Sequence, residues 1–208
     1  MKFNAREALR YLGAKPNDKE AELLVDTVYL KLRNEAQAQH VILHQKCLVE
    51  GETVTLDTGP TFKSRDLARH LAGCEEVLLL AATLGSKMDR AIRRLALTSV
   101  AEGAAAQAVA ASLIESYCDE VQAEVENDGL SQRPRFSPGY GDWPLEEQKI
   151  MFRALACEKK IGLTLTDGLM MAPTKSVTAI IGLSTDVRCV WNKCMTCGNV
   201  NCPYREEK

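Results

Sequence analysis

The sequence predicts an α+β fold, and three observations carry that expectation. Amphipathic helical patterns mix with strand patterns without the steady strand-helix-strand rhythm of a doubly wound sheet. Two extended runs, 41–49 and 53–58, flank Glu50-Gly51-Glu52 as an antiparallel hairpin around a short turn. The 208 residues are 46% hydrophobic, enough to bury a real core. No internal repeat, low-complexity linker or clean boundary interrupts the chain before about residue 186, so 1–186 reads as one domain and 187–208 as a cysteine-rich tail.

Taken in order, Asn4 caps a helix over 5–12 and Gly13 stops it. Asn17 with Glu20 makes a capping-box-like start to a longer helix reaching about Gln37, with Leu23, Leu24, Val28, Leu30 and Leu32 as core candidates. In the hairpin, Val54 and Leu56 share a face. Ser64 caps a helix over 65–72, closed by Gly73, and the most apolar run, 77–84, reads as a buried strand. A helix opened by Ser86 turns Met88, Ile92, Leu95 and Leu97 to the core. Ser99 and Glu102 form a second capping box for a helix reaching about Asn127. The first half of that helix is alanine-rich, small enough for another backbone or a flat ligand to approach, while Val109, Leu113, Ile114, Val121 and Val125 form its apolar stripe. A helix over 145–158 and strands over 163–166 and 176–184 complete the pattern.

Charge and motif content exclude several classes. Lys and Arg total 26 against 28 Asp and Glu, and a formal charge of -2 gives no basic field for a nucleic-acid backbone. The N-terminal residues lack an apolar leader, and no stretch approaches the roughly 18 apolar residues of a membrane span, so a cytoplasmic protein is expected. In that compartment the eight cysteines read as thiols or metal ligands rather than disulfides. There is no dinucleotide-binding glycine fingerprint, no Walker loop and no Gly-x-Ser-x-Gly elbow. His40 and His44 share a strand face, but no carboxylate or third histidine follows at ligand spacing, and with His70 they read as surface or structural residues.

Residues 133–144, Arg-Pro-Arg-Phe-Ser-Pro-Gly-Tyr-Gly-Asp-Trp-Pro, combine stiffness with unused chemistry. Prolines fix φ, glycines free it, and neither a regular helix nor a central strand can form. Two uses are open: a rigid crossover, or a loop that holds a ligand. In the second, Arg135 would grip a carboxylate bidentately, Gly139 would let backbone approach the ligand, and Tyr140 would stack or hydrogen-bond. In the first, Arg135 is a surface ion pair and Tyr140 a core-edge aromatic.

The segment Arg135-Phe-Ser-Pro-Gly-Tyr140 resembles the Arg-x-x-Pro-Gly-Tyr signature of the activation domain of cobalamin-dependent methionine synthase, and residues 161–182 resemble the segment that follows it. Together these cover about 130–184. The resemblance implies a single C-shaped domain with a bent, mainly antiparallel sheet and flanking helices. It implies binding of S-adenosylmethionine, which remethylates an oxidised cob(II)alamin once that has been reduced. Arg135 would take the methionine carboxylate, and backbone around Ser137, Pro138, Gly139 and Tyr140 would contact the ligand. Two departures stand out. A tyrosine pair of long-chain members is matched here by Ile180 and Ile181, and the glutamate that usually precedes the arginine has no obvious counterpart. Glu102 is the candidate carboxylate for the amino group or sulfonium, or else simply a capping-box residue. The chain lacks the Asp-x-His-x-x-Gly cobalt-ligating loop, so its cobalamin would be held by a partner. The expected arrangement is a stand-alone activation domain serving the cobalamin-binding domain of a methionine synthase or another corrinoid protein, with a low-potential electron donor. The alternative is a metal-cluster redox or docking partner that does not bind S-adenosylmethionine.

The tail is an independent signal. Cys189, Cys194, Cys197 and Cys202 run as Cys-x4-Cys-x2-Cys-x4-Cys in a segment poor in apolar residues, which suggests a bound metal. Zinc and an iron-sulfur cluster both suit four thiolates, and reactive free thiols are the third option. Cys47, Cys74, Cys118 and Cys157 read as small core residues.

Overall fold

The computed structural model describes residues 1–125 and 129–185. The tail cysteines Cys189, Cys194, Cys197 and Cys202 therefore lie outside the described residues. In chain order the elements are α1 (Ala5–Leu12), α2 (Lys19–Leu32), β1 (Gln39–Glu50), β2 (Thr53–Leu56), β3 (Thr61–Lys63), α3 (Arg65–His70), β4 (Glu76–Thr83), α4 (Ser86–Thr98), α5 (Val100–Glu124) and β5 (Ser131–Gln132). A 3-10 turn at Leu145–Glu147 leads into α6 (Gln148–Leu155), α7 (Cys157–Ile161), β6 (Thr164–Leu165), β7 (Met171–Ala172) and β8 (Ser176–Ser184).

The main sheet has the order β3-β2-β1-β4-β8-β5, antiparallel at every pairing, and β6-β7 form a separate small ribbon. The long β1 changes partner partway: Gln39 to Lys46 pair with β4, and Cys47 to Glu50 pair with β2. The α+β class is thus as expected, and the hairpin turns at Gly51 as the sequence implies.

Helices cover both faces of this sheet, which explains why β4 and β8 show no clean polar alternation. Leu78, Leu80, Ala82, Ile181 and Leu183 pack with α1, α2, α4 and α5 in one core. Val77, Leu79, Ala81 and Ile180 pack with α3, α6 and α7 in the other. The small side chains of α5 serve close helix packing. A Cβ added at Gly103 would lie 2.8 Å from the Cα of Ala96, so α4 and α5 approach at a distance that only glycine permits.

Four sequence expectations are corrected. Helix α2 is capped by Asp18, whose side chain accepts from the Ala21 amide, and Asn17 lies outside it at φ 62. Its buried face is Val25, Val28 and Leu32, spaced i, i+3, i+7, whereas Leu23 and Leu30 sit on the opposite side, 70% and 59% exposed. Leu97 is 88% exposed at the α4–α5 corner. The helix expected over 145–158 is broken at Ala156, which adopts a left-handed conformation. Leu155 and Cys157 would face opposite sides of a straight helix, about 200° apart, and the break lets both enter the same core.

Candidate functional site

The 133–144 stretch is built on the sheet. Arg133 donates its amide to the Gly182 carbonyl at 2.8 Å, and Phe136 exchanges both backbone bonds with Ile180 at 2.8 and 2.9 Å, so the chain continues alongside β8 beyond β5. In extended pairing, neighbouring residues face opposite sides. Arg135 accordingly turns to α5, while Phe136 joins the α6 side and stacks near Trp143.

Beyond Phe136 the chain folds on itself. The amides of Gly139, Tyr140 and Trp143 bond to the carbonyls of Trp143, Ser137 and Tyr140, at 2.8, 3.0 and 3.0 Å. Three of the backbone donors of this turn are thus met within it, and the Asp142 amide donates to Asp66 Oδ2 at 3.2 Å. Gly141 has φ 55, and a Cβ there would fall 2.3 Å from Oδ2 of Asp66. That close approach lets Asp142 cap α3, accepting from Ser64 Oγ at 2.5 Å and from the Arg65 and Asp66 amides at 3.2 and 3.0 Å. The Ser64 hydroxyl bond first, and the Asp66 amide after it, hold the Asp142 carboxyl below its ordinary range. Trp143, 1% exposed, closes the anchor by packing edge-on against Phe62 at 5.2 Å.

A cleft of about 260 Å³ opens between this loop, α5, α6 and the start of β8. Arg135, Ser137, Pro138 and Tyr140 line one side, so four of the residues singled out from sequence come together. Tyr140 is 52% exposed at the rim. Gly139 forms the turn beside them at φ 91 without lining the cleft. Ser176, Val177 and Thr178 present the small side chains of β8. Ile180 and Ile181, where the tyrosine pair was sought, are fully buried on opposite faces of the sheet and belong to the two cores.

The Arg135 guanidinium is held by α5. It donates to Glu115 Oε2 at 2.7 Å, to Asp119 Oδ1 at 2.7 Å and to the Gln122 side-chain carbonyl. These three acceptors stand at i, i+4 and i+7 on one helical face. Glu115 also lines the cleft, and sequence reading missed it. The available signal was that same polar stripe on an otherwise alanine-rich and apolar helix. Glu102 lies about 20 Å further back along α5 at the helical rise of about 1.5 Å per residue. It pairs with Lys31 at 2.6 Å, and its amide receives the Ser99 cap. Arg133, in contrast to Arg135, is spent on structure, donating to Ala72 O at 2.7 Å and to Cys74 Sγ at 3.1 Å.

Among the described residues no group of three or more metal-ligating side chains occurs, and no helix is long and apolar enough to cross a membrane. His40 meets the Tyr117 hydroxyl at 2.8 Å and His44 meets Glu76 at 2.5 Å. Burial pushes the Cys118 thiol up to about 12 and the Cys47 and Cys157 thiols up to about 11, in keeping with unreactive, neutral core groups.

Residues 102–194 match the family model of the vitamin B12 dependent methionine synthase activation domain. Among solved structures the chain is similar to a crystal structure of the MetH reactivation domain bound to AdoHcy, with a TM-score of 0.65 and 18% identity over 85% of this chain and 69% of that one. No curated protein matches the chain. All the cleft residues, from Glu115 to Thr178, fall within the matched segment. The residues that build the cleft thus lie in a segment similar to the vitamin B12 dependent methionine synthase activation domain, on a fold like that of the MetH reactivation domain.

Proposed function

We propose that the cleft binds S-adenosylmethionine and that the domain supports reductive remethylation of a cob(II)alamin carried by the cobalamin-binding domain of a methionine synthase or related corrinoid protein. The observation that carries this reading is the Glu115–Arg135 pair on the cleft wall, an anion and a cation side by side for a zwitterionic amino acid. Glu115 would receive the ammonium and Arg135 the carboxylate.

Arg135 need not leave its place to do so. Its side chain is 12% exposed and oriented by Glu115, whereas Asp119 is 72% exposed. An exposed ion pair is worth about 0–1 kcal/mol, so a ligand carboxylate can take the Asp119 position on the guanidinium at small cost. With two carboxylates around one guanidinium the wall is net acidic, which favours a ligand bearing a positive sulfonium as well as an ammonium. Ser137, Pro138 and Tyr140 would then line the ligand, with Gly139 shaping their turn. The cleft is smaller than the roughly 300–1,000 Å³ of sites that enclose a drug-sized ligand. It therefore suits the amino-acid end, with the nucleoside extending along the Tyr140 rim and towards Gln148. Once bound, S-adenosylmethionine would supply a sulfonium methyl for attack by a reduced cobalt, and the contribution of this chain is positioning.

Titration calorimetry with S-adenosylmethionine and S-adenosylhomocysteine tests the reading. Wild-type protein should bind both, and Glu115→Gln should weaken both. Absence of binding, alone and with a corrinoid protein present, would sink it. Cys189, Cys194, Cys197 and Cys202 are proposed as a separate metal site in 187–208. Stoichiometric zinc or iron in purified protein, lost on replacing two of the four cysteines by serine, is the expected result.

A further inference from the structure

We infer that Gln148 reads the nucleoside of the ligand, using its side-chain carbonyl to accept a hydrogen bond from an uncharged amino or hydroxyl group. The inference rests on the proposed S-adenosylmethionine site and assigns a specificity role within it.

Gln148 opens α6, lines the cleft and is 5% exposed. Its Nε2 donates to Thr178 Oγ1 at 3.3 Å, and Thr178 lines the same cleft. Its Oε1 is buried and has no partner among the described residues. Most buried side-chain polar atoms in proteins are paired, so an unmatched acceptor on a residue that lines the proposed cleft points to a contact that the ligand completes. The geometry permits it. The terminal amide torsion of glutamine is broad, and the Thr178 hydroxyl both donates and accepts, so the amide can turn to the cleft without losing its anchor.

The chemical class follows from charge. A cationic group on the ligand is drawn to Glu115 and Asp119, which outnumber the single Arg135. Gln148 is neutral and shares the cleft with the apolar Leu145 and Met171, an environment that selects a neutral donor. On S-adenosylmethionine the neutral donors are the adenine amino group and the ribose hydroxyls.

The test is titration calorimetry on the whole chain with S-adenosylhomocysteine and three analogues: the inosyl compound, in which a carbonyl oxygen replaces the adenine amine, and the 2′-deoxy and 3′-deoxy compounds. Wild type should bind one analogue roughly tenfold more weakly, the size of one hydrogen bond to a buried acceptor. Loss with the inosyl compound assigns the base, and loss with a deoxy compound assigns the ribose. In Gln148→Met, which keeps volume without an acceptor, S-adenosylhomocysteine should weaken by the same factor and the analogue penalty should vanish. Equal binding of all four compounds by wild type overturns the inference, as does a penalty that persists undiminished in Gln148→Met. The wild-type comparison needs no substitution, so a variant that fails to fold leaves the test intact. If wild type binds neither S-adenosylhomocysteine nor S-adenosylmethionine, the underlying reading falls and this one with it.

Discussion

The two halves of the 133–144 loop differ in what holds them. Gly141, Asp142 and Trp143 are fixed by close contact, a helix cap and deep burial, all directed at α3 and the core beneath it. Arg135, Ser137, Pro138 and Tyr140 face the cleft, and Arg135 is held by side chains alone. The difference teaches that one half supplies rigidity and the other carries the side chains of the proposed site. A ligand site on a loop becomes precise when the adjacent segment is locked to the scaffold.

That division can be broken or sharpened by substitution. The largest effect is expected from Trp143→Ala, which empties a fully buried aromatic site and should cost about 3–5 kcal/mol in urea unfolding. Gly141→Ala comes next, at about 1–3 kcal/mol, because the new methyl meets Asp66 at a left-handed position. Both should lower ligand affinity indirectly, and a Gly141→Ala protein of unchanged stability would break the comparison. Arg135→Ala should instead act on binding, weakening S-adenosylhomocysteine by roughly 10- to 100-fold, as for a charged hydrogen bond. Arg133→Ala should weaken it less and appear mainly as lost stability. Equal binding losses would mean that local charge, not a carboxylate clamp, is what Arg135 provides.

The smallest effect is a pH dependence at the anchor. The folded Asp142 carboxyl lies below its ordinary value, so its stabilisation is fully present above the unfolded pKa of about 4 and is lost as pH falls through the folded value. Asp142→Asn should flatten the acid side of the Tm against pH profile. An unchanged profile would show that the α3 cap does not depend on the charge.

Much of this was legible beforehand. The Ser99 cap with its bond to the Glu102 amide, the Ser64 cap of α3 and the Gly51 turn follow from short-range rules, since each partner lies within about three residues. The motif arginine was separable from Arg133 only through resemblance, and the structure places it in the cleft. Glu115 escaped because its partner Arg135 lies 20 residues away in sequence. The exposure of Leu23 and Leu30 escaped because leucine is a core residue by composition, while the neighbouring elements decide which face of α2 is covered.

By itself, then, the sequence determined the α+β class, the positions of several of its caps and turns, and the stiffness of the 133–144 stretch, because these depend on backbone propensity and the period of apolar residues. Tertiary structure decided that Glu115, Arg135, Gln148 and Thr178 share one cleft, and that Ile180 and Ile181 belong to opposite cores. Those outcomes depend on which helix covers which face of the sheet, a choice made by packing between segments distant along the chain.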